Sequence, residues 1–225
     1  MSGRIHDILD DLPADVREAF EARARVRRYG PGETVYLQGD AGSSMFRILS
    51  GDVRVSVARP DGRELYYVYF GQHDCFGVSN FVDGLPRPQT AQAVNEVALQ
   101  VLSGAEMGRL ADEHPAFNRA LMKLLSRHMR LLIDLLADAN LDDLSERIAR
   151  RIIEATPQGE DEAVAVNLSQ TDIAHMVGAS RQSVNKVMQR FQEEQLIRIE
   201  YGGLVVEAPG RLRQWAFPGR GLSAI

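Results

Sequence analysis

The residues best suited to chemistry lie near the C-terminus. Arg181, Gln182, Asn185 and Lys186 fall within two helical turns of one another, and Arg190 follows. Residues 181–190 hold three bases and no acid, in a chain whose net charge is −5. Arg and Lys pair with guanine edges and phosphates, and the amides of Gln and Asn pair with adenine. The plainer alternative is a helix whose polar face is only solvated.

Positioning such a face needs a pair of short helices. Ser169-Gln170-Thr171-Asp172 has capping-box spacing and opens a helix that runs to Val177. Gly178 tolerates the left-handed turn that stops it. Ser180 is a second N-cap, opening a helix from Arg181 to about Glu194. Ile173, Val177, Val184, Val187, Met188 and Phe191 supply shared apolar contacts. Two helices across a short glycine turn predict a helix-turn-helix. Ile197 to Ile199 and Leu204 to Val206, joined through Tyr201-Gly202-Gly203, predict a hairpin wing. Caps, turn glycine, wing and acid-free face together favour DNA over solvent. Ser169 and Thr171, at the start of the first helix, are expected to touch phosphate.

Upstream, from Pro115, the apolar period is close to 3.6 and runs without Gly or Pro to Thr156, which predicts two helices. Phe117, Leu121, Leu124, His128, Leu131 and Leu135 form one seam; Leu121, Leu125, His128, Leu132, Leu135 and Ala139 form an adjacent one. Met122, Met129, Ile133 and Leu136 widen the apolar surface beyond one face, so the helix must be covered on two sides. A second copy of the helix can cover the side the rest of the chain leaves open, with Leu124, Leu131 and Leu135 on the seam. A buried core helix of one monomer is the alternative. His128 either sets register or is a hydrogen-bonded core histidine. The second helix starts from about Leu141, with Leu144, Ile148 and Ile152 on one face, and Thr156-Pro157-Gln158-Gly159 with Glu160, Asp161 and Glu162 reads as a loop.

Residues 29–104 read as short strands punctuated by Gly30-Pro31-Gly32, Gly39-Asp40, Gly51-Asp52, Asp61-Gly62 and Gly71. Val53, Val55 and Val57 alternate with Arg54 and Ser56, the pattern of a half-buried strand. Many short strands with turn signals predict a sandwich or barrel. A short helix, Pro13 to about Ala24, precedes them.

Composition narrows the classes. With 225 residues, one large or two modest domains are expected. The 44% hydrophobic and 25% charged content is that of a globular protein and excludes disorder as the main state. The acidic balance excludes a uniformly basic coat but not a local basic patch. The single cysteine, Cys75, cannot form an internal disulfide, which makes the cytoplasm the simplest compartment. No ten-residue stretch lacks a charged residue, so no membrane-spanning helix is expected.

Taken together, these residues resemble the cAMP receptor protein/fumarate-nitrate regulator (CRP/FNR) superfamily of bacterial transcription factors. The likeness rests on Gly32-Glu33, Gly39-Asp40, Met45-Phe46-Arg47-Ile48-Leu49-Ser50-Gly51, Val53 and Val55, on the Pro115-to-Ala139 helix, and on Leu168-to-Ile197, with Val177-Gly178-Ala179-Ser180-Arg181-Gln182-Ser183-Val184 at its centre. It implies an α+β chain: an N-terminal β-roll of the cyclic-nucleotide-binding jelly-roll type over 1–113, a dimerisation helix over 114–140, and a C-terminal winged helix-turn-helix over 141–225. It also implies a homodimer on an inverted-repeat double-stranded DNA site, with Ser169, Thr171, Ser180, Arg181, Gln182, Asn185 and Lys186 at the DNA and RNA polymerase as a further partner.

The resemblance also implies an effector pocket formed by Gly77, Val78, Arg87, Gln89, Thr90, His128 and Leu132. In nucleotide-binding members the matching stretch, here Gly77 to Ala91, begins Gly-Glu and later shows Arg-Ser/Thr. Val78 replaces the ribose-binding glutamate and Gln89 the phosphate-binding arginine. Leu132 and Ile133 stand where the long helix offers hydroxyls to adenine. Arg87, between Pro86 and Pro88, could reach inward from a rearranged loop. Burying an anion without a cation is costly, so cAMP binding in the usual manner is not expected. No cofactor is expected, and the effector is left unassigned.

Other sensing chemistries and other classes are weaker. One cysteine cannot hold an iron–sulfur cluster; His73 and Cys75 are close enough in sequence to keep a haem reading open. An enzyme on a cupin-like barrel would need clustered His and carboxylate ligands, and His73 is the only histidine between residues 7 and 113. A cyclic-nucleotide module gating a partner protein has no reason to carry the C-terminal helix pair.

Overall fold

The glycine-punctuated half of the sequence folds into strands, and the computed structural model, which describes residues 6–157, 163–200 and 202–217, shows how they pair. Among these residues the chain forms two compact units, one within residues 2–63 and 67–134, the other within 64–66 and 135–225.

In the first unit a 3₁₀ turn (Ile8–Asp11) and α1 (Ala14–Arg23) lead into β1 (Arg25–Tyr29), β2 (Thr34–Tyr36), β3 (Met45–Ser50), β4 (Val53–Ala58), β5 (Glu64–Phe70), β6 (Cys75–Phe76), α2 (Ser79–Asp83), β7 (Thr90–Ala93), β8 (Val97–Leu102) and α3 (Gly104–Glu113). The strands form two four-stranded sheets, ordered β1-β8-β3-β6 and β2-β7-β4-β5. Aromatic rings from both sheets meet between the layers: Tyr36 lies 5.6 Å from Phe46, and Phe70 5.5 Å from Phe76. This is the predicted sandwich, an α+β chain with a β-rich N-terminal part.

The valine alternation predicted for β4 holds only in its first half. Val53 and Val55 are buried, but so is Ser56, while Val57 is half-buried. β4 is an inner strand of its sheet, and the burial of adjacent Val55 and Ser56 means that both faces are covered there, so a period of two disappears.

Helices close one side. Ile8, Phe20, Met45, Cys75, Leu102, Met107, Leu110, Phe117, Leu121 and Leu124 form one buried cluster. Asp7 anchors the N-terminus to it: its carboxylate caps the 3₁₀ turn by accepting from the Leu9 amide and also accepts from Arg47 Nε and Nη2 at 2.8 and 2.6 Å. Both side chains are buried, and this two-pronged geometry is the strong form of a charge-assisted pair.

The long helix α4 spans Pro115–Leu141. Leu124 is fully buried within the first unit's core, so it is not available to a dimer seam as predicted. The β-roll's own helices claim that side of α4. The large apolar residues left exposed on it are Met122, Met129, Leu132, Ile133, Leu136 and Leu141.

In the second unit, α5 (Leu144–Glu154) starts three residues later than predicted, because Asp143 and Glu146 form a capping box that begins a new helix. Arg150 pairs with Asp138 and Asp142 at 2.5 and 2.6 Å and ties α5 to the end of α4. Then come β9 (Val164–Val166), α6 (Gln170–Val177), α7 (Arg181–Glu193), β10 (Ile197–Glu200), β11 (Gly203–Val206) and α8 (Pro209–Ala216). The strands form a sheet ordered β10-β11-β9. Ile148, Ile152, Ile173, Val184, Met188, Phe191, Leu204 and Leu212 make the core beneath α6 and α7. The loop residues 158–162 and Tyr201 of the predicted wing turn lie outside the described residues.

Candidate functional site

Two features of the structure could carry function, one in each unit. In the second unit, α6 begins where Ser169 accepts from the Asp172 amide and the Asp172 carboxylate accepts in return from the Ser169 amide. Gly178, with φ at 63°, ends it in the left-handed conformation, and its amide donates to the Ala174 carbonyl. Ser180 then caps α7 by accepting from the Ser183 amide at 3.1 Å. Val184, Met188 and Phe191 face the core, which turns the other side of α7 outward.

On that outward side Arg181, Gln182 and Lys186 are exposed and Asn185 is half-buried. Neither Arg181 nor Lys186 is in an ion pair among the described residues. Arg190 differs: its Nε pairs with Glu194 at 3.1 Å, and its guanidinium lies 4.5 Å from the centre of the Trp215 ring. It fastens α7 to α8. The Ser169 hydroxyl is likewise engaged, donating to the Asp172 carboxylate at 2.6 Å. Sequence reasoning missed α8 and β9 altogether; the Leu212–Trp215 spacing was the available signal for α8.

In the first unit a cavity of about 290 Å³ lies between strands and α4. Of the residues expected to form an effector pocket, Gly77, Val78, Gln89, His128 and Leu132 line it, together with Tyr67, Val68, Phe70, Phe76, Ser79, Pro88, Leu125, Met129 and Leu131. The last group was missed, because strand aromatics on both sides of the Gly71 turn converge only in the folded sandwich. No lining residue is an acid, a lysine or an arginine.

Arg87 is not among them, against expectation. Its Nη1 donates to the Gly77 carbonyl at 2.7 Å and to Asn80 Oδ1 at 3.0 Å, and its Nη2 donates to the Ser44 carbonyl at 2.8 Å. The guanidinium sits 4.4 Å from the centre of the Tyr36 ring. Three acceptors and an aromatic face hold the cation in the loop, so it has no freedom to reach inward. Gly77 accommodates this packing: its φ is 79°, and a Cβ there would come within 2.9 Å of Arg87 Nη1. Thr90 also stays outside, its Oγ1 accepting from the Gln38 amide at 3.0 Å.

Beside Tyr67, whose phenol is pushed up to about 12 by burial, His128 is the other ionisable group of the cavity wall. Burial pushes its pKa down, and a bond to the Cys75 main chain offsets this in part. Its Nε2 is buried with no hydrogen-bond partner among the described residues. Cys75 is fully buried in the core, where desolvation pushes the thiol up to about 12. His73, in a turn with φ at 74°, places Nδ1 2.9 Å from Arg47 Nη2. Cys75 thus sits in the core, whereas the partly exposed His73 ring leans on the buried Asp7–Arg47 pair.

Comparison with known proteins follows the same division. The cyclic nucleotide-binding domain family matches residues 26–114, and the Crp-like helix-turn-helix domain family matches residues 146–215. A CRP-like cAMP-activated global transcriptional regulator of Mycobacterium tuberculosis is 30% identical over 190 residues, covering 82% of this chain and 85% of that protein. The cyclic AMP receptor protein of Thermus thermophilus is 27% identical over 194 residues, covering 85% and 88%. Among solved structures, a transcriptional regulator of the CRP family from Thermus thermophilus superposes with a TM-score of 0.71 at 27% identity, over 88% of this chain and all of that one. The global regulator CLP of Xanthomonas campestris shares the fold, with a TM-score of 0.77 at 21% identity over 87% of this chain.

Proposed function

The chain belongs to the CRP/FNR family of transcription regulators, and from that premise we propose that it acts as a homodimer on an inverted-repeat DNA site, under an effector pocket that has moved away from cAMP. In this reading residues 1–113 sense, 114–140 dimerise and 141–225 read DNA. The observation that carries it is α7: two turns of exposed Arg181, Gln182 and Lys186 on a doubly capped helix pair, with neither base engaged by an acid among the described residues.

Arg181 and Lys186 pair with guanine and phosphate, and Gln182, which both donates and accepts, favours adenine at its position. Asn185 supports them. Ser180 and Ser169 fix the helix starts, and Thr171 meets phosphate. The exposed apolar stripe Met129, Leu132, Ile133 and Leu136 supports a second copy as the partner of α4. Two-fold symmetry then spaces the half-sites about one helical turn apart. RNA polymerase is the partner such a regulator meets on DNA.

The pocket reading is supported by the lining: no cation for a cyclic phosphate, Val78 where a ribose acceptor would stand, and Leu132 where adenine would need a hydroxyl. Selection of bound DNA from random duplexes tests the whole. An inverted repeat whose affinity falls steeply with salt is expected; no enrichment of any sequence defeats the proposal.

A further inference from the structure

The end of α4 is held by charge rather than by packing. Among the described residues, none from α4 belongs to the apolar core beneath α6 and α7, and only Asp142 and Asp143 separate α4 from α5. The angle between joined helices is set by the side chains that meet between them. Here that side chain is Arg150, near the end of the second turn of α5. Its Nη1 lies 2.5 Å from Asp138 Oδ1 and 2.6 Å from Asp142 Oδ2. Among the described residues these are the only ion pairs between residues 135–142 and α5.

The same guanidinium reaches a third element. Nε and Nη2 both donate to the Ala216 carbonyl, at 3.3 and 3.2 Å, and the centre of the Phe217 ring lies 5.1 Å away. Ala216 is the last residue of α8, where the negative end of the helix dipole favours a cation. The planar fork of an arginine can serve such separated acceptors at once, whereas a lysine offers a point charge. The side chain is only 13% exposed, so salt screens its pairs less than it screens surface ones. One turn earlier on α5, Arg147 donates from Nη1 to the Val177 carbonyl at the end of α6, at 3.3 Å. Helix α5 is thus a bracket: Arg147 grips the helix-turn-helix, and Arg150 grips α8 and the end of α4.

Asp138 lies two residues beyond Leu136, the last residue of the apolar stripe assigned to the second copy. The clamp therefore acts where that seam ends. A reading module fixed there presents α7 at one distance and angle from the two-fold axis, and a loose one accepts many. We infer that Arg150 is a positioning residue that sets the half-site spacing the dimer accepts, by locking α5 and α8 to Asp138 and Asp142. This rests on the inverted-repeat reading given above and names the residue that fixes its geometry.

Anisotropy titrations of the full chain test it with three duplexes: the selected inverted repeat, the same repeat with one base pair inserted between the half-sites, and a single half-site. The inserted pair moves the half-sites apart by about 3.4 Å and rotates one against the other by about 35°. Wild type should bind the lengthened repeat about 10-fold more weakly than the selected one. D138A/D142A frees the end of α4 but leaves Arg150 on the Ala216 carbonyl. It should reduce that ratio to about 2-fold, with half-site affinity unchanged. R150M should relax the ratio likewise and also lower the melting temperature, since it leaves the Ala216 carbonyl without its donor. If R150M fails to fold, the double variant decides. A wild-type ratio kept by D138A/D142A overturns the inference, as does a ratio near one in wild type. Half-site affinity lost in D138A/D142A also overturns it, because the pairs would then support the reading module itself. Wild-type binding to none of the three duplexes removes the DNA reading together with this inference, whereas tight binding with an unaltered ratio in the variant removes only the role of Arg150.

Discussion

The Arg87 guanidinium donates to the Gly77 carbonyl at 2.7 Å, tying the loop that follows α2 to the residues that precede it. The one arginine in that stretch therefore works as a strut. Replacing it by alanine leaves the Gly77 and Ser44 carbonyls and Asn80 Oδ1 without their donor, at about 1–3 kcal/mol for each buried group left unpaired. Arg87→Ala should lower the urea midpoint, with a loss of at least about 2 kcal/mol in unfolding free energy, while cAMP remains without measurable heat on both proteins. An unchanged midpoint would show that the strut carries no stability.

The two sides of α4 should separate under mutation. Leu124→Ala opens a cavity in the first unit's core and should cost about 2–5 kcal/mol of stability. Leu136→Glu and Ile133→Glu alter exposed positions, so they should leave the secondary structure intact but yield monomer in analytical ultracentrifugation. A wild-type chain that sediments as a monomer at micromolar concentration would rule out the dimer.

Arg181→Ala should weaken binding to the selected duplex by about 1–3 kcal/mol and relax the preference at one base pair per half-site. Lys186→Ala should also reduce the salt dependence if its contact is to phosphate. Anisotropy titrations at several salt concentrations read both effects; an Arg181→Ala protein with unaltered affinity and preference would take α7 out of recognition.

His128 makes stability depend on pH in a defined direction. Its pKa is lowered in the folded state by burial, so below the ordinary value near 6.5 the unfolded chain binds the extra proton and the folded chain does not. Stability should therefore be fully present above that value and decline as pH falls towards the lowered folded pKa. Comparing H128F with wild type between pH 8 and pH 5.5 isolates this contribution. Parallel stability curves for the two proteins would mean that the ring titrates normally.

Cys75 should be inert in the native protein. Its thiol is fully buried and pushed up to about 12, far from the thiolate that reacts. Ellman's reagent should label it only at the rate of unfolding, and fully in guanidinium chloride. Prompt labelling of the folded chain would show an opening that the structure does not contain.

Much of the DNA-facing module was legible because its signals are local. A capping hydroxyl, an acid three residues on, a glycine where φ must be positive and a run of bases without acids all act within a few residues of chain. Ser169, Asp172, Gly178 and Ser180 stand in the structure where that grammar puts them. The Asp143–Glu146 box obeys the same grammar, and the predicted start near Leu141 missed it.

The first unit depended on contacts between residues far apart in sequence. Periodicity marked α4 as apolar on more than one side, but which side the chain itself would cover, burying Leu124 and leaving Ile133 and Leu136 exposed, was set by packing against α1, α3 and the strands. Arg87 read in sequence as a spare cation near a pocket; Ser44, 43 residues away, supplies one of the acceptors that hold it elsewhere. The sequence by itself determined the architecture and the basic, acid-free start of α7, because capping, turns and helical period are written in neighbouring residues. Only the tertiary structure decided what the cavity can bind, because its wall comes from Phe70, Phe76, Gln89 and His128, which the chain brings together only when the sandwich closes.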